Sequence, residues 1–299
     1  MTDLAQDYPG FRGTLLRNEP MSRHTSLKVG GPADLYAIPA DLDDLKLLVK
    51  QLDQAGLPRM VIGGGYNLLV RDGGIRGAVM SLECINQREL LNGGKVKAWA
   101  GAENLQVVRF AQQHGLGGIG FISGIPGTIG GAVRMNAGAY GNGLLDRMTR
   151  LTLLRSGQMV VLPREQIHYG YRYLELLPGD SILAVELQLT PVDPVVTEEE
   201  IRKDLELRRT KHNVGYPSAG SFFKNPPDQA AWKLIDSAGM RGFQVGDAQM
   251  AELHSNFMIN RGTATAADCI ALAAKVKQAV LAATGVVLEE EVRIVGEEL

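Results

Sequence analysis

The sequence predicts an α+β protein in two lobes, on three observations. Strands of period 2 and amphipathic helices follow one another without the regular β-α-β succession that would imply a parallel Rossmann sheet. Glycine is concentrated: of 36 in the chain, the densest bursts are "IGGGYNLLVRDGGIRG", "HGLGGIG" and "SGIPGTIGGAVRMNAGAYGNG", all before residue 144. And "PVDP" at 191–194 reads as a linker. It divides residues 1–194, to which the last stretch 286–299 returns, from a smaller region at 195–285. A chain of 299 residues has room for about two domains with a sizeable core.

The elements follow in order. "DLDDLKLLVKQLDQAG" (41–56) has leucines at 42, 45, 48 and 52, Asp41 in front and Gly56 behind, which predicts an amphipathic helix. "RMVIGGG" is a short strand entering a glycine turn, "RGAVMSL" (76–82) is the next strand, and "KVKAWAGA" alternates polar and apolar residues. "NLQVVRFAQQHG" (104–115) is helical and stops at Gly115. Three β segments come next, "RLTLLRS", "MVVLP" and "SILAVELQLTP", the first two joined by a tight Ser-Gly-Gln turn. After the linker, "TEEEIRKDLELRRTKHN" predicts a helix capped by Thr197, with three glutamates at the positive end of its dipole. A helix at about 229–238, a strand "NFMIN", a helix at about 265–284 and a strand "EVRIVG" complete the chain.

Bulk properties exclude several classes. A net charge of −2 gives no general attraction to nucleic acid or to an acidic membrane, so any anion site is local. The N-terminus is acidic and broken by Pro9 and Gly10, without a signal-peptide pattern, and nowhere do eighteen apolar residues run together. Cys84 and Cys269 lie far apart without C-x-x-C spacing, as suits reduced thiols in a cytoplasm. The five histidines show no metal-ligand spacing, so no metal is expected, and nothing calls for an obligate protein partner.

Two local patterns suggest chemistry. "GLGGIG" (115–120) satisfies G-x-G-x-x-G, but a helix precedes it and "FISGIPG" follows, the wrong context for a dinucleotide fingerprint. Glycine-dense loops can instead turn backbone N–H groups onto an anion and admit a flat ligand to the main chain. Tight turns in a small β domain would use glycine equally well. In "PSAGSFFKNP" (217–226) Ser221 stands three residues before Lys224. Proton donor, nucleophile and turn all fit. The companion motifs of Ser-x-x-Lys acyl enzymes, Ser-Asp-Asn and Lys-Thr-Gly, do not occur.

In this order, "HTSLKVGGPAD", "VIGGGYNLLVRDGGIRGAVM", "GIPGTIGGAVRMNAGAYG", "YGYR", "PSAGSFFKNP", "LHSNFMIN" and "LEEEVRIVG" resemble the motif series of the UDP-N-acetylenolpyruvoylglucosamine reductases, from about residue 20 to the C-terminus. "VGYPSAGSFFKNP" directly follows the predicted helix, which resembles the short class without an inserted tyrosine loop. The resemblance implies a two-subdomain FAD-binding module of the p-cresol methylhydroxylase/vanillyl-alcohol oxidase type in 1–194 with 286–299, and an α+β substrate domain in 195–285. It implies non-covalent FAD, NADPH as co-substrate and UDP-N-acetylglucosamine enolpyruvate as substrate. Gly63, Gly64, Gly65, Tyr66, Asn67 and Leu68 match the pyrophosphate loop. Gly124, Pro126, Gly127, Thr128, Gly130, Gly131 and Ala132 match the stretch lining the flavin. Arg172, Ser221 and Glu291 match the catalytic trio, and Lys224 and Asn225 face the sugar nucleotide. Tyr171 and His254 are placed on the substrate side, with plain packing left open for His254.

Three positions depart from the family pattern: Tyr66 for Ser, His24 for Asn and Leu174 for Ser. Arg208 and Arg209 suit either a diphosphate or a helix dipole. The chemistry agrees with these roles. Hydride arriving at the β-carbon of an enol ether conjugated to a carboxylate needs a cation or proton-bearing group for the enolate, and an acid for the α-carbon. Arg172 supplies the fixed cation, Glu291 a carboxyl that can be held protonated, and Ser221 the proton. A sugar-alcohol or lactone oxidase on the same scaffold, and a Ser-Lys hydrolase, are the competing readings.

Overall fold

A computed structural model of the chain describes residues 7–139 and 141–299. Residues 1–6, part of the leader reading, and Tyr140 of the third glycine burst lie outside the described residues. The chain condenses into two compact units. One takes the residues up to 17, 35–64 and 77–206; the other takes 18–34, 65–76 and 207–299. These units are drawn differently from the functional division expected at 194/195: residues 195–206 group with the first unit, and 18–34, 65–76 and 286–299 group with the second.

In the first unit an antiparallel sheet runs in the order Gln158–Pro163, Met148–Arg155, Ser181–Gln188, Lys95–Trp99, Arg88–Leu91. Its hairpin pairs Arg155 with Gln158, so the turn is Ser156–Gly157 alone, with φ of 48° and 74°. Two positive φ values match the right-handed twist of the flanking strands. The alternation in "KVKAW" is realised, with Val96 and Ala98 buried. Helix α1 (Leu42–Gln54) begins where Asp41 accepts the N–H of Asp44, and it buries Leu45, Leu48, Val49 and Leu52. Helices α2 (Asn104–Gln113) and α3 (Ile129–Arg134) flank the middle glycine burst. Between them "GLGGIG" forms a two-residue strand and a 3₁₀ turn. A parallel pair does occur, Arg59–Ile62 beside Ile75–Ser81, too short for periodicity to reveal.

Helix α4 (Pro194–Leu207) corrects the expected linker and cap. It starts three residues before Thr197, because Asp193 accepts the N–H of Val195 at 2.9 Å and Pro194 lacks the N–H that a first helical residue would leave idle. Thr197 is buried instead of capping.

The second unit carries an antiparallel sheet in the order Ser218–Ser221, Phe257–Asn260, Ala248–Met250, Gln244–Val245. Helices α5 (Ala231–Ser237) and α6 (Ala266–Thr284) pack on its apolar side, sharing a core of Phe222, Phe223, Leu234, Ile235, Met258, Leu272 and Val276. α6 is held at both ends. Asp72 accepts the N–H groups of Ala266 and Ala267 at 2.8 and 2.9 Å, Thr265 and Asp268 form a capping box, and Gly285 closes the helix at φ 75°. The last strand, Arg293–Val295, lies parallel to Leu68–Val70.

Candidate active site

In the second unit, three segments remote in sequence meet at Phe222. Gly220, at φ 76°, sits in an irregularity of the strand pairing, after which Ser221 faces Phe257. On the other side residues 289–291 run antiparallel. The Glu291 N–H donates to the Phe222 carbonyl at 2.8 Å, and the Lys224 N–H donates to the Glu289 carbonyl at 2.9 Å. Ser221 and Glu291 are thereby brought onto adjoining backbone. The loop 65–68 joins them: the Asn67 side-chain amide donates to the Glu291 carbonyl at 3.0 Å, and the Asn67 carbonyl accepts the Arg293 N–H at 3.1 Å.

Sequence reasoning missed the residue that fixes this junction. Asn256 is buried, and its amide grips the main chain of one residue on both sides: Oδ1 accepts the Phe223 N–H at 3.0 Å, and Nδ2 donates to the Phe223 carbonyl at 2.8 Å. Its own carbonyl accepts the Phe222 N–H at 2.7 Å. The available signal was an asparagine inside the apolar strand "NFMIN", where only a satisfied polar group is tolerated.

The remaining expected substrate residues have local partners. Lys224 Nζ pairs with Glu289 Oε2 at 3.1 Å, an arrangement suited to an ammonium. The Asn225 side-chain oxygen, Oδ1, accepts the Ala231 N–H at 3.0 Å and so helps start α5. The His254 ring lies 4.4 Å from that of Phe257, the residue opposite Ser221.

The pyrophosphate loop is shaped by its glycines. Gly65 has φ 66°, and a methyl group there would overlap the His24 carbonyl and lie 2.9 Å from Thr25 Cα. The Gly65 carbonyl is turned towards Ser26, whose N–H and hydroxyl reach it at 3.1 and 3.3 Å. In a trans peptide the next N–H, that of Tyr66, must then point the opposite way. Tyr66 itself is 42% exposed. Burial pulls the guanidinium of Arg208 below its ordinary pKa, and the charge interaction with Tyr66 acts against that. Arg208 and Arg209 occupy a π-helical turn, Arg208–His212, directly after α4. At the second departure, His24 Nε2 and Glu19 Oε1 are 3.0 Å apart.

In the first unit Gly63 faces the flavin-lining stretch. A Cβ on Gly63 would lie 2.5 Å from Thr128 Oγ1 and 3.9 Å from the Gly131 nitrogen, and one on Gly131 would meet only Thr128 Oγ1, at 3.9 Å. The N–H groups of Ile129 and Gly130 are given to the Ala102 and Ala100 carbonyls at 2.8 and 2.9 Å, so this helix start is held by protein. Gly124 lies against α4, where an added Cβ would be 3.2 Å from the Asp204 carbonyl. Burial pushes the Asp204 carboxyl above its usual range, against the opposing influence of neighbouring Ser123 and Lys203. Gly63 and Gly131 both turn backbone without a side chain towards Thr128 Oγ1.

Arg172 and Tyr171 form the tip of a short hairpin between Tyr169–Gly170 and Tyr173–Leu174. Arg172 takes φ 54°, uncommon for a residue with a side chain, and its guanidinium is 5.1 Å from the Tyr171 ring. Leu174, the third departure, is buried in the core of this unit.

Residues 33–162 match the FAD binding domain family, and residues 212–295 match the C-terminal domain of UDP-N-acetylenolpyruvoylglucosamine reductase. Together with the glycine-lined surfaces, these matches define a flavin-dependent oxidoreductase. Similar proteins include the UDP-N-acetylenolpyruvoylglucosamine reductase of Pelobacter propionicus, 63% identical over 288 residues that cover 96% of this chain and 98% of that one. The reductase of Geobacter metallireducens is 54% identical, with 96% of each chain covered. The crystal structure of the Thermus caldophilus enzyme superposes with a TM-score of 0.80 at 30% identity, covering 95% of this chain and 98% of that one. The chain belongs to the UDP-N-acetylenolpyruvoylglucosamine reductase family.

Proposed function

We propose that the protein reduces the enolpyruvyl ether of UDP-N-acetylglucosamine to UDP-N-acetylmuramate, a step of peptidoglycan precursor synthesis in the bacterial cytoplasm, with NADPH as the electron source. Residues 1–194 with 286–299 cradle the flavin, and 195–285 take the sugar nucleotide. The observation that carries the reading is the junction at Phe222, where the proton-bearing Ser221, the carboxyl-bearing Glu291 and the loop of Asn67 share one hydrogen-bonded backbone.

Bound FAD would supply the hydride chemistry that links NADPH to the β-carbon of the substrate. The protein's own residues handle charge and proton. Arg172 offers a permanent cation and a planar fork to the substrate carboxylate, on which negative charge develops. Glu291 shares that charge as a protonated carboxyl, and Ser221 gives its proton to the α-carbon. Lys224, committed to Glu289, is poorly placed to be the neutral base that a nucleophilic serine would require. That favours the donor role over hydrolase chemistry, as family membership favours reduction over an oxidase. Gly63, Gly64, Gly65, Tyr66, Asn67 and Leu68 hold the diphosphate, and the segment Gly124–Ala132 lines the ring. No histidine or cysteine lies in either loop, and the cofactor is held without a covalent bond.

The test divides the reaction. Ser221→Ala is expected to bleach its flavin with NADPH at close to the normal rate in stopped flow. The reduced enzyme then stalls with the enolpyruvyl substrate, slowed roughly 10²–10⁴-fold, the weight of a positioned acid. Slow bleaching with normal reoxidation would place Ser221 in the nicotinamide half instead.

A further inference from the structure

Within the first unit, a single short segment, 134–138, reaches the Arg172 hairpin at three points. The Arg134 guanidinium donates to the Leu174 carbonyl at 3.2 Å, on the strand that leaves the tip. The Asn136 amide donates to the Gly170 carbonyl at 2.9 Å, on the strand that enters it. The Gly138 carbonyl accepts from the Arg172 guanidinium at 3.5 Å. Asn136 is the centre of this arrangement. It is 8% exposed, takes φ 40°, and is satisfied from both sides, because its Oδ1 accepts the Leu145 N–H at 3.0 Å. Gly143 makes room for it: a Cβ there would stand 2.7 Å from Oδ1. The hairpin is also held at its base, where Tyr169 meets Arg164 and Asp146 and the Glu175 N–H donates to the His168 carbonyl. Its strands are two residues each, and Tyr171 and Tyr173 are 57% and 50% exposed. Yet Arg172 must hold a left-handed backbone that relaxes unless its surroundings enforce it.

We infer that Asn136 is a positioning residue for Arg172: by pinning the Gly170 carbonyl, immediately before the tip, it holds the guanidinium where it meets the substrate carboxylate. This rests on the role given to Arg172 above. The side chain never touches substrate. An amide suits the task because one group supplies both the donor for Gly170 and the acceptor for Leu145.

The test uses the FAD-loaded full chain. Asn136→Asp keeps the size, the tolerance of φ 40° and the acceptor for Leu145, but sets an oxygen against the Gly170 carbonyl. Reoxidation of the reduced enzyme by the enolpyruvyl substrate should slow about 10–100-fold, the scale of a misplacement near 1 Å. Bleaching by NADPH, the KM for NADPH and the flavin content should stay within twofold. In an Arg172→Ala background the same substitution should add less than twofold, since a residue acting through Arg172 has nothing left to position. Equal slowing in both backgrounds, or no slowing in either, overturns the inference. If Arg172→Ala alone leaves reoxidation unchanged, the role of Arg172 has failed, and this inference with it. A slow Arg172→Ala beside a harmless Asn136→Asp sinks the inference only. Should Asn136→Asp lose its flavin, Asn136→Gly, which accepts the same φ, enters the same cycle. Loss of fold in both would make Asn136 a folding residue and refute the inference.

Discussion

Gly65→Ala is the substitution on which the structure speaks most directly about how the cofactor loop is held. The costs can be added. A residue with a side chain at φ 66° pays about 1–2 kcal/mol for left-handed backbone. The new methyl would meet the His24 carbonyl and Thr25 Cα, both main-chain atoms that cannot rotate aside. Segment 24–26 and the loop must therefore separate, which loosens the two hydrogen bonds from Ser26 to the Gly65 carbonyl, at about 1 kcal/mol each. The sum is about 3–4 kcal/mol, or on the order of a few hundredfold when expressed as an affinity. It is divided between apoprotein stability and FAD binding, so both are measured: thermal unfolding of the apoprotein, and titration with FAD followed by flavin fluorescence. Gly63→Ala is the internal control for the stability of the apoprotein alone, since Gly63 belongs to the loop proposed to hold the diphosphate. Its obstacle is Thr128 Oγ1, the end of a side chain that can turn, and it should cost less than about 1.5 kcal/mol. Gly65→Ala with a midpoint within 2 °C of wild type and an FAD affinity within about threefold, on the scale of one weak hydrogen bond, would refute this account of the loop.

Tyr66→Ser should change FAD affinity by less than about 1.5 kcal/mol in the same titration, because the backbone N–H at 66, not the side chain, faces away from Ser26. Asn256→Ala leaves the Phe223 N–H and carbonyl without their buried partner and should destabilise the protein by about 2–5 kcal/mol in urea unfolding, with a fall in kcat that tracks Ser221. Of the two cysteines, Cys84 is exposed, whereas burial pushes the Cys269 thiol up to about 12. A thiol reagent at pH 8 should label one per folded chain and two after unfolding. Asp180 is clamped by Arg155 through two 2.8 Å hydrogen bonds, which hold its carboxyl below the usual 3.8. A depressed carboxylate stabilises the fold above its unfolded pKa and loses that contribution as pH falls through the lower folded value. Asp180→Asn should therefore cost about 2–3 kcal/mol at pH 7, and the gap to wild type should close only below about pH 3.8.

Elements with a local cause were legible in the sequence. The apolar spacing of α1 and its Asp41 cap, the alternation in "KVKAW" and the left-handed Gly285 after α6 each depend on residues within one turn of one another. So does the turn at Gly65, whose φ of 66° is a property of main-chain conformation. The start of α4 was misread for an instructive reason. Thr197 with glutamates behind it has the composition of a cap, but Asp193 and Pro194 have the geometry, and the first of these to satisfy the N–H groups wins. What composition could not show is which strand accepts which. The pairing of 289–291 with 222–224, and the approach of Asn67 to Glu291, depend on contacts between segments far apart in the chain.

The motifs themselves mix two kinds of residue that look alike in a sequence. In "PSAGSFFKNP" Ser221 is the residue proposed as proton donor, whereas the Asn225 side chain is taken up by the start of α5. In "HSNFMIN" and "RMNAG" Asn256 and Asn136 serve Phe223, Gly170 and Leu145. The physical reason is common to both. A catalytic side chain must be held to within a fraction of an ångström, and what holds it is the backbone on either side. A buried, uncharged amide can fix such a backbone by giving to a carbonyl and accepting from an N–H at once. Substituting either asparagine by its acid therefore probes the chemistry at one remove: it exchanges a donor for a charged acceptor at nearly constant volume, and a loss of rate at unchanged stability measures how far Ser221 or Arg172 depends on the strand that carries it.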